Sequence, residues 1–281
     1  MSWEVHQIAD SFAWLRGVGE QVDVVITDPP YNEHVHGNMC SGMALKKHIA
    51  SGAKGGVPKL ELGFDPLSGY DFAADLLRVA RRWAISFCAI EDFGEYRRAL
   101  QPKEFVRGGV WFKPNSMGQL TLDRPAVAFE GLAVMHHAVK KQWNGRGSYA
   151  YWVADSDEFP SEEAHFVASG TRREIDRHPN QKPLRLCLEL VAKFSNRGET
   201  VLDPFCGSGR IGEACAMLGR NYIGLDQDPA WVAKAHARIS AAESIQITDE
   251  SCLRLCAARQ QFLSEPRANP PRARRAARQH E

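Results

Sequence analysis

The second half of the chain alternates short apolar runs with helical patterns, and this alternation restricts the folds that it can adopt. After Pro183, apolar residues recur at helical spacing, and ETVLD (199–203) then reads as a buried strand. GRIGEACAML (209–218) predicts a helix and NYIGLD (221–226) a further strand, after which Asp228 caps another helix. A βαβα order of this kind predicts an α/β domain built on a parallel sheet.

The first half of the chain shows a similar alternation. VDVVITD (22–28) is a β-branched run stopped by two prolines, as expected for a strand buried on both faces. A helical pattern (71–82) and a second apolar run, WAISFCAI (83–90), come later, and GGVWFKP (108–114) and AVAFEGLAVMHH (126–137) predict two more strands. The predicted fold class is therefore α/β, with a mostly parallel twisted sheet and helices on both faces.

Composition narrows the class of protein. With 281 residues and 44% hydrophobic content, the chain can bury a large core, which excludes a disordered or fibrous protein. No apolar run is long enough to cross a bilayer, and the start MSWEVHQIAD lacks a signal-peptide pattern. We therefore expect a soluble, cytoplasmic protein with no membrane partner. The seven cysteines form no CxxC pair, so we expect reduced thiols and no bound metal.

A glycine-rich turn, DPFCGSGR (203–210), joins a predicted strand to a predicted helix. Gly207 and Gly209 allow the backbone to turn sharply and to approach a ligand closely. Asp226 ends the next strand, where a carboxylate can accept hydrogen bonds from both hydroxyls of a ribose. The glycine spacing up to Gly212 also fits a dinucleotide site. The DPF lead-in, however, puts a carboxylate where a pyrophosphate would lie, which favours a cationic amino-acid moiety attached to adenosine.

A second distinctive turn, Asp28-Pro29-Pro30-Tyr31, directly follows the first buried strand. Its two prolines stiffen the backbone and fix the directions of the Asp28 carboxylate and the proline carbonyls. Because proline is an uncommon residue, this tetrapeptide rarely occurs by chance. We therefore interpret it as a specific signal of a functional site, with a merely rigid strand ending as the alternative.

TDPPYN (27–32) together with DPFCGSG (203–209) resembles the amino-methyltransferase family of DNA methyltransferases, in the β-class order that places the catalytic motif before the cofactor motif. Further similar elements are HPNQKP (178–183), GLDQDP (224–229) and VWFKPN followed by DRPAVAFE. The resemblance covers residues from about 5 to 240. It implies a Rossmann-like methyltransferase fold, the cofactor S-adenosyl-L-methionine, double-stranded DNA as substrate, a setting in restriction-modification, and often a homodimer.

The resemblance also implies a catalytic mechanism. In such families the target base is rotated out of the duplex into the enzyme. Asp28 and the Pro29 carbonyl would accept hydrogen bonds from the target amino group, whose nitrogen attacks the sulfonium methyl group, while Tyr31 stacks on the base. The implied catalytic set is Asp28, Pro29, Pro30 and Tyr31, and aspartate rather than serine at position 28 favours N6 of adenine. N4-cytosine methylation, RNA methylation and a non-catalytic DNA-binding regulator are the alternatives.

The cofactor-binding residues are also implied by resemblance. Asp10 would approach the adenine, and Asn180 and Lys182 would lie near the methionine part. The full implied set is Asp10, Asn180, Lys182, Asp203, Pro204, Phe205, Cys206, Gly207, Ser208, Gly209, Asp226 and Gln227. Two positions depart from the usual pattern, since alanine precedes Asp10 where glycine is more common, and Asp226 stands where glutamate is common.

Four regions are predicted along the chain. They are a catalytic half at 1–136 with a mobile loop at about 33–66, a target-recognition insertion at 137–177, a cofactor-binding half at 178–248, and a C-terminal helix with a basic disordered tail at 249–281.

Basic residues alternate with aromatic residues in the insertion, so we expect it to recognise the DNA sequence. The alternative is that these basic residues are merely solvated on the surface. They are Lys140, Lys141, Arg146, Arg172 and Arg173 with Trp143, Tyr149, Tyr151 and Trp152. His34 and His36 are candidates for closing over the flipped base, and a polar loop without that role is the alternative.

Overall fold

The computed structural model describes residues 1–19, 21–31, 69–114, 116, 125–154 and 181–264. The strands in these ranges are β1 (Trp3–Gln7), β2 (Val24–Thr27), β3 (Trp83–Cys88), β4 (Phe105–Phe112), β5 (Phe129–His136), β6 (Tyr151–Val153), β7 (Thr200–Asp203) and β8 (Asn221–Asp226). The helices are α1 (Ser11–Gly17), α2 (Phe72–Val79), α3 (Phe93–Ala99), α4 (Leu184–Phe194), α5 (Arg210–Leu218), α6 (Pro229–Ala242) and α7 (Asp249–Ser264), and a short 3-10 turn spans Ile90–Asp92.

The described strands form one sheet in the order β1-β8-β7-β2-β3-β5-β4-β6. Strand β5 runs antiparallel to both of its neighbours, and the other pairs of adjacent strands are parallel. Every residue of β2 and β3 is buried, in agreement with their continuous apolar sequence. This is the mostly parallel sheet that the sequence predicts, and the carboxyl ends of its parallel strands lie along a single edge.

Helices cover both faces of the sheet. One apolar cluster joins the sheet to α4, α5, α6 and α7 through residues such as Leu190, Ile211 and Ile239. A second cluster on the opposite face includes Leu15 of α1 and Leu76 of α2. The result is the three-layer arrangement in which apolar strands are shielded from water on both sides.

The described part of the predicted insertion, 137–154, lies against the main sheet. Strand β6 pairs with β4 as the edge strand, and the Trp152 side chain is buried. The Trp143 ring packs against Phe194 of α4, with ring centroids 4.8 Å apart. Trp152 therefore belongs to the core and the partly buried Trp143 packs against it, whereas Tyr149 and Tyr151 are exposed.

Several predicted features lie outside the described residues. They include the loop at 33–66 with His34 and His36, the cofactor candidate Asn180, the basic residues Arg172 and Arg173, and the tail at 265–281. Within the described ranges, no helix combines the length and the apolar character needed to cross a membrane.

Arg220 fixes helix α7 to the rest of the protein. Its guanidinium is fully buried and donates hydrogen bonds to Asp249 at 2.5 and 2.9 Å, and to the Ser195 carbonyl at 2.8 Å. A buried guanidinium is costly unless its donors are satisfied and its charge is compensated. Asp249, at the first position of α7, supplies that compensation.

We expect Asp249→Ala to lower the free energy of unfolding by about 3 kcal/mol, because it leaves a buried cation without its partner. Glu250→Ala, at the next position, is the matched control, since the Glu250–Arg254 ion pair is mostly exposed. Its expected loss is less than about 1 kcal/mol. Urea denaturation of both variants measures the difference, and equal losses would contradict the anchoring role of Arg220.

Candidate active site

Three aspartates lie at the carboxyl ends of neighbouring parallel strands. Asp28 follows β2, Asp203 ends β7 and Asp226 ends β8, and these strands are adjacent in the sheet. The Thr27 hydroxyl donates a hydrogen bond to Asp203 Oδ1 at 2.7 Å. The two turns that the sequence singled out therefore meet at one edge, which is where ligands bind in open α/β sheets.

The glycine turn after β7 has the conformation that its sequence predicts. Gly207 and Gly209 have φ angles of +48° and +78°, and a Cβ added to Gly209 would lie 2.8 Å from the Cβ of Ala235. Asp226 holds the turn in place, because its Oδ2 accepts from the Gly207 N–H at 2.8 Å and its Oδ1 from the Asp228 N–H at 2.9 Å. Gly209 thus lets the turn pack closely against α6, at a position where a larger side chain would not fit.

The other residues of the predicted cofactor set surround this turn. The Cys206 N–H donates to the Leu225 carbonyl at 2.8 Å, and the Ser208 hydroxyl donates to Gln181 Oε1 at 3.0 Å. Pro204 and Phe205 continue the chain from Asp203, and the carbonyl of Gln227, just after β8, accepts from the Gln7 side chain at 3.5 Å. The turn is therefore anchored to β8 and to the residues before α4.

Asp10 lies at the start of helix α1. Its Oδ1 accepts from the backbone N–H groups of Phe12 and Ala13, at 2.8 and 3.0 Å, so that the carboxylate caps the helix. The Phe12 ring lies 4.9 Å from the Phe205 ring between centroids, which brings this helix end beside the glycine turn. The contact of Asp10 with an adenine ring stays a prediction.

The catalytic turn leaves one carboxylate oxygen without a partner. Asp28 Oδ2 accepts a hydrogen bond from Lys182 Nζ at 2.5 Å. Asp28 Oδ1 is buried and has no hydrogen-bond partner in the part of the chain that the structure describes. Because buried polar atoms are usually satisfied, an orphaned carboxylate oxygen is typical of a site that awaits a donor from a ligand.

Lys182 lies between two acidic side chains. Its side chain is only 8% exposed, and its Nζ is also 3.1 Å from Glu130 Oε2. Glu130 in turn accepts a hydrogen bond from the Tyr31 hydroxyl at 2.6 Å and forms an ion pair with Lys113. Lys182, expected beside the methionine part of the cofactor, thus contacts the catalytic turn directly, and its cofactor contact stays a prediction.

Sequence reasoning gave no role to Glu130 and Lys113. Lys113 lies in VWFKPN and Glu130 ends DRPAVAFE, two segments that resemble the family without pointing to either residue. The signal in the sequence is Glu130 itself, the one acidic residue of the mostly apolar strand β5. A buried carboxylate needs a partner of opposite charge, so this residue predicts a nearby cation.

The electrostatics of this cluster follow from burial and from the pairing of charges. Burial raises the pKa of Asp28, although Lys182 opposes the shift. Burial also acts on Glu130, but Lys182 and Lys113 outweigh it and lower the pKa of Glu130 to about 2. The two carboxylates raise the pKa of Lys182 against the effect of burial. Burial raises the pKa of Tyr31, so its hydroxyl remains a neutral donor.

Asp203 has a different environment, because no lysine among the described residues pairs with it. Burial raises the pKa of Asp203 to about 7, and the hydrogen bonds from Thr27 and from the Phe205 N–H only partly oppose this. A carboxylate in this position changes its charge near neutral pH.

The buried carboxyl of Asp203 generates a prediction about stability. Its pKa is raised on folding from 3.8 to about 7, so keeping it ionised costs folding free energy that grows between these two pH values and is complete above them. Asp203→Asn keeps the oxygen that accepts from Thr27 and removes this cost. We expect its gain in Tm over wild type to be larger at pH 8 than at pH 5, as measured by calorimetry. Glu250→Gln, at an exposed carboxylate, is the control, and an equal Asp203→Asn gain at both pH values would contradict the shifted pKa.

Two solved structures show which class of fold this is. The structure of an M1.HpyAVI–SAM complex superposes with a TM-score of 0.57 at 21% identity, covering 84% of this chain and 98% of that chain. PvuII DNA methyltransferase (cytosine-N4-specific) superposes with a TM-score of 0.58 at 14% identity, covering 92% of each chain. The predicted Rossmann-like methyltransferase fold is therefore confirmed.

Sequence comparison shows which methyltransferases the chain is similar to. Residues 103–236 match the N6/N4 methyltransferase family model, described as DNA methylase. The chain is 28% identical over 174 residues to Type II methyltransferase M.XycI of Xanthomonas campestris pv. cyanopsidis, and 28% identical over 167 residues to Type II methyltransferase M.Cfr9I of Citrobacter freundii. Each match covers 58% of this chain and 50% of the relative, so the chain spans about half the length of these curated relatives. The predicted resemblance to the amino-methyltransferase class is confirmed.

Proposed function

We propose that this protein is an S-adenosyl-L-methionine-dependent DNA methyltransferase that methylates N6 of an adenine rotated out of double-stranded DNA. The observation that carries the proposal is the unpartnered, buried Oδ1 of Asp28 beside a glycine turn, with Thr27 and Asp203 joining the two. The names of the relatives and the SAM complex of M1.HpyAVI support methyl transfer from S-adenosyl-L-methionine, and they do not distinguish adenine from cytosine.

The residues around the glycine turn fit the proposed cofactor. Gly207 and Gly209 have left-handed backbone conformations, which let the chain turn sharply between β7 and α5, where adenosine would lie. The two oxygens of Asp226 accept backbone N–H groups, and a carboxylate can accept about four hydrogen bonds in total, so ribose hydroxyls can still donate to it. Asp203 supplies a carboxyl group that can ionise beside a cationic ligand. When bound, the cofactor supplies an electrophilic methyl group on a positively charged sulfur.

The catalytic turn would act on the target amino group. Asp28 Oδ1 accepts one N–H hydrogen bond from it and the Pro29 carbonyl accepts the other, which makes the nitrogen lone pair more available for attack. Lys182 pairs with the other oxygen of Asp28 and thereby favours its ionised form. Tyr31 ends the same turn, and its hydroxyl donates a hydrogen bond to Glu130. Its ring would stack against the extruded base. No covalent bond to the protein is needed.

The choice of adenine rests on aspartate at position 28. N4-cytosine methylation is the second candidate, because the PvuII enzyme, which is cytosine-N4-specific, has a similar fold. Both bases present an exocyclic amino group to the same acceptors, so the identity of the product must decide between them. A homodimer also remains a proposal, based on the resemblance alone.

We expect Asp28→Ala to reduce methyl transfer by at least about a hundredfold and to leave cofactor affinity within a few fold, because the residue contacts the base and not the cofactor. Purified protein is incubated with unmethylated plasmid and S-adenosyl-L-methionine, and modified nucleosides are identified by mass spectrometry. Asp75→Ala, at a position on α2 away from this edge, is the control. Undiminished transfer by Asp28→Ala would refute its catalytic role, and N4-methylcytosine as the product would refute the choice of adenine.

The raised pKa of Asp203 predicts a pH dependence of cofactor binding. A cationic cofactor favours the ionised carboxylate, so its affinity should rise between pH 6 and pH 8 as Asp203 loses its proton. Isothermal titration calorimetry at several pH values measures this rise. In Asp203→Asn the rise should disappear, and a rise equal to that of wild type would show that another group is responsible.

A further inference from the structure

Glu130 contacts both the catalytic turn and Lys182, the lysine that pairs with Asp28. It lies near the start of β5, opposite Trp111 of β4, and its side chain is 18% exposed. One carboxylate oxygen, Oε2, accepts from the Tyr31 hydroxyl at 2.6 Å and lies 3.1 Å from Lys182 Nζ. The other, Oε1, pairs with Lys113. A single side chain therefore joins the base-stacking residue to two lysines.

The Lys182 ammonium is the link between Glu130 and Asp28. It lies 2.5 Å from Asp28 Oδ2 and 4.8 Å from the centre of the Phe87 ring. Aromatic and acidic side chains thus enclose it, and an ammonium in such a site has little freedom to move unless an acidic partner is removed. The orientation of the Asp28 carboxylate consequently depends on Lys182, and the position of Lys182 depends on Glu130.

Several charged or titratable groups act on Asp28 from the elements packed around it. They are Lys182 before α4, Glu130 of β5, Lys113 after β4, Asp203 of β7, Cys88 of β3 and Tyr31 of the same turn. Asp28 and Glu130 together balance the charges of the two lysines. If Glu130 becomes neutral, the cluster gains a net positive charge and Lys182 is attracted to Asp28 alone.

We propose that Glu130 is a positioning residue for the catalytic turn: it fixes the Lys182 ammonium and the Tyr31 ring, so that Asp28 Oδ1 is the acceptor left open to the target amino group. This inference rests on the proposed methyltransferase function and adds a residue to its machinery. It follows from geometry, because Lys182 holds one oxygen of Asp28 and Glu130 holds the Tyr31 hydroxyl, and the Lys182 Nζ also lies over the Tyr31 ring, 5.7 Å from its centre.

The first test needs no methyl transfer. The pKa of the Asp28 carboxyl is measured by carbon-13 NMR in the ligand-free full-length protein, with its signal assigned by loss in Asp28→Asn. In Glu130→Gln we expect this pKa to fall by about one unit or more, because a nearby negative charge is lost and Lys182 pairs with Asp28 alone. Glu104→Gln is the matched control, since the Glu104 side chain is 19% exposed and lies beside His137 instead. An unchanged pKa of Asp28 in Glu130→Gln overturns the proposal.

The second test compares catalysis. We expect Glu130→Gln to lower kcat about tenfold, to move the acidic limb of the pH–rate profile to lower pH, and to leave the cofactor Kd within about twofold. Tyr31→Phe removes only the hydroxyl contact, so its kcat should fall less and its profile should keep its position. It also provides a second variant if Glu130→Gln folds poorly.

The outcomes distinguish this inference from the proposed function. A wild-type protein that methylates no nucleic acid refutes the function, and the NMR titration still decides whether Glu130 controls Asp28. A wild-type protein that methylates DNA, with Glu130→Gln equal to it in rate and pH profile, refutes the positioning role alone.

Discussion

The Thr27–Asp203 hydrogen bond, between two buried side chains at the ends of adjacent parallel strands, is the contact on which the proposed site depends. It joins the Asp28 turn after β2 to the glycine turn after β7, and the parallel pairing of the two strands brings both turns to the same edge of the sheet. A methyl donor and its acceptor must lie within a few ångströms of each other in a direct transfer. The order of strands therefore places the proposed acceptor turn close to the proposed donor turn.

Charge pairing then determines what the catalytic turn can do. A buried carboxylate that hydrogen-bonds to an amino group must stay ionised although burial favours its neutral form. Lys182 opposes that effect at Asp28, and it also pairs with Glu130, whose pKa is lowered to about 2 by Lys182 and Lys113. Asp203 lacks such a partner, and its pKa is about 7. Burial therefore raises the pKa of both carboxyl groups at this edge, but a lysine opposes the rise only at Asp28 among the described residues.

The sequence predicted those parts of the structure that depend on neighbouring residues. Strands β2 and β3 were predicted because both faces are buried, and the glycine turn because its shape is local. Glu130 received no role because its contacts join distant parts of the chain: 99 residues separate it from Tyr31, and 154 separate Lys182 from Asp28. Trp143 and Trp152 were assigned to a DNA-reading surface because tryptophan among basic residues looks the same in sequence whether it packs in a core or stacks on a base.

The most direct test of the account is the fate of a carbon-13 methyl label, supplied on S-adenosyl-L-methionine to the purified protein together with unmethylated double-stranded DNA. The account predicts that the label appears on an exocyclic base nitrogen, N6 of adenine, as identified by mass spectrometry of the digested DNA. A folded protein that binds the cofactor and leaves the DNA unlabelled would contradict it.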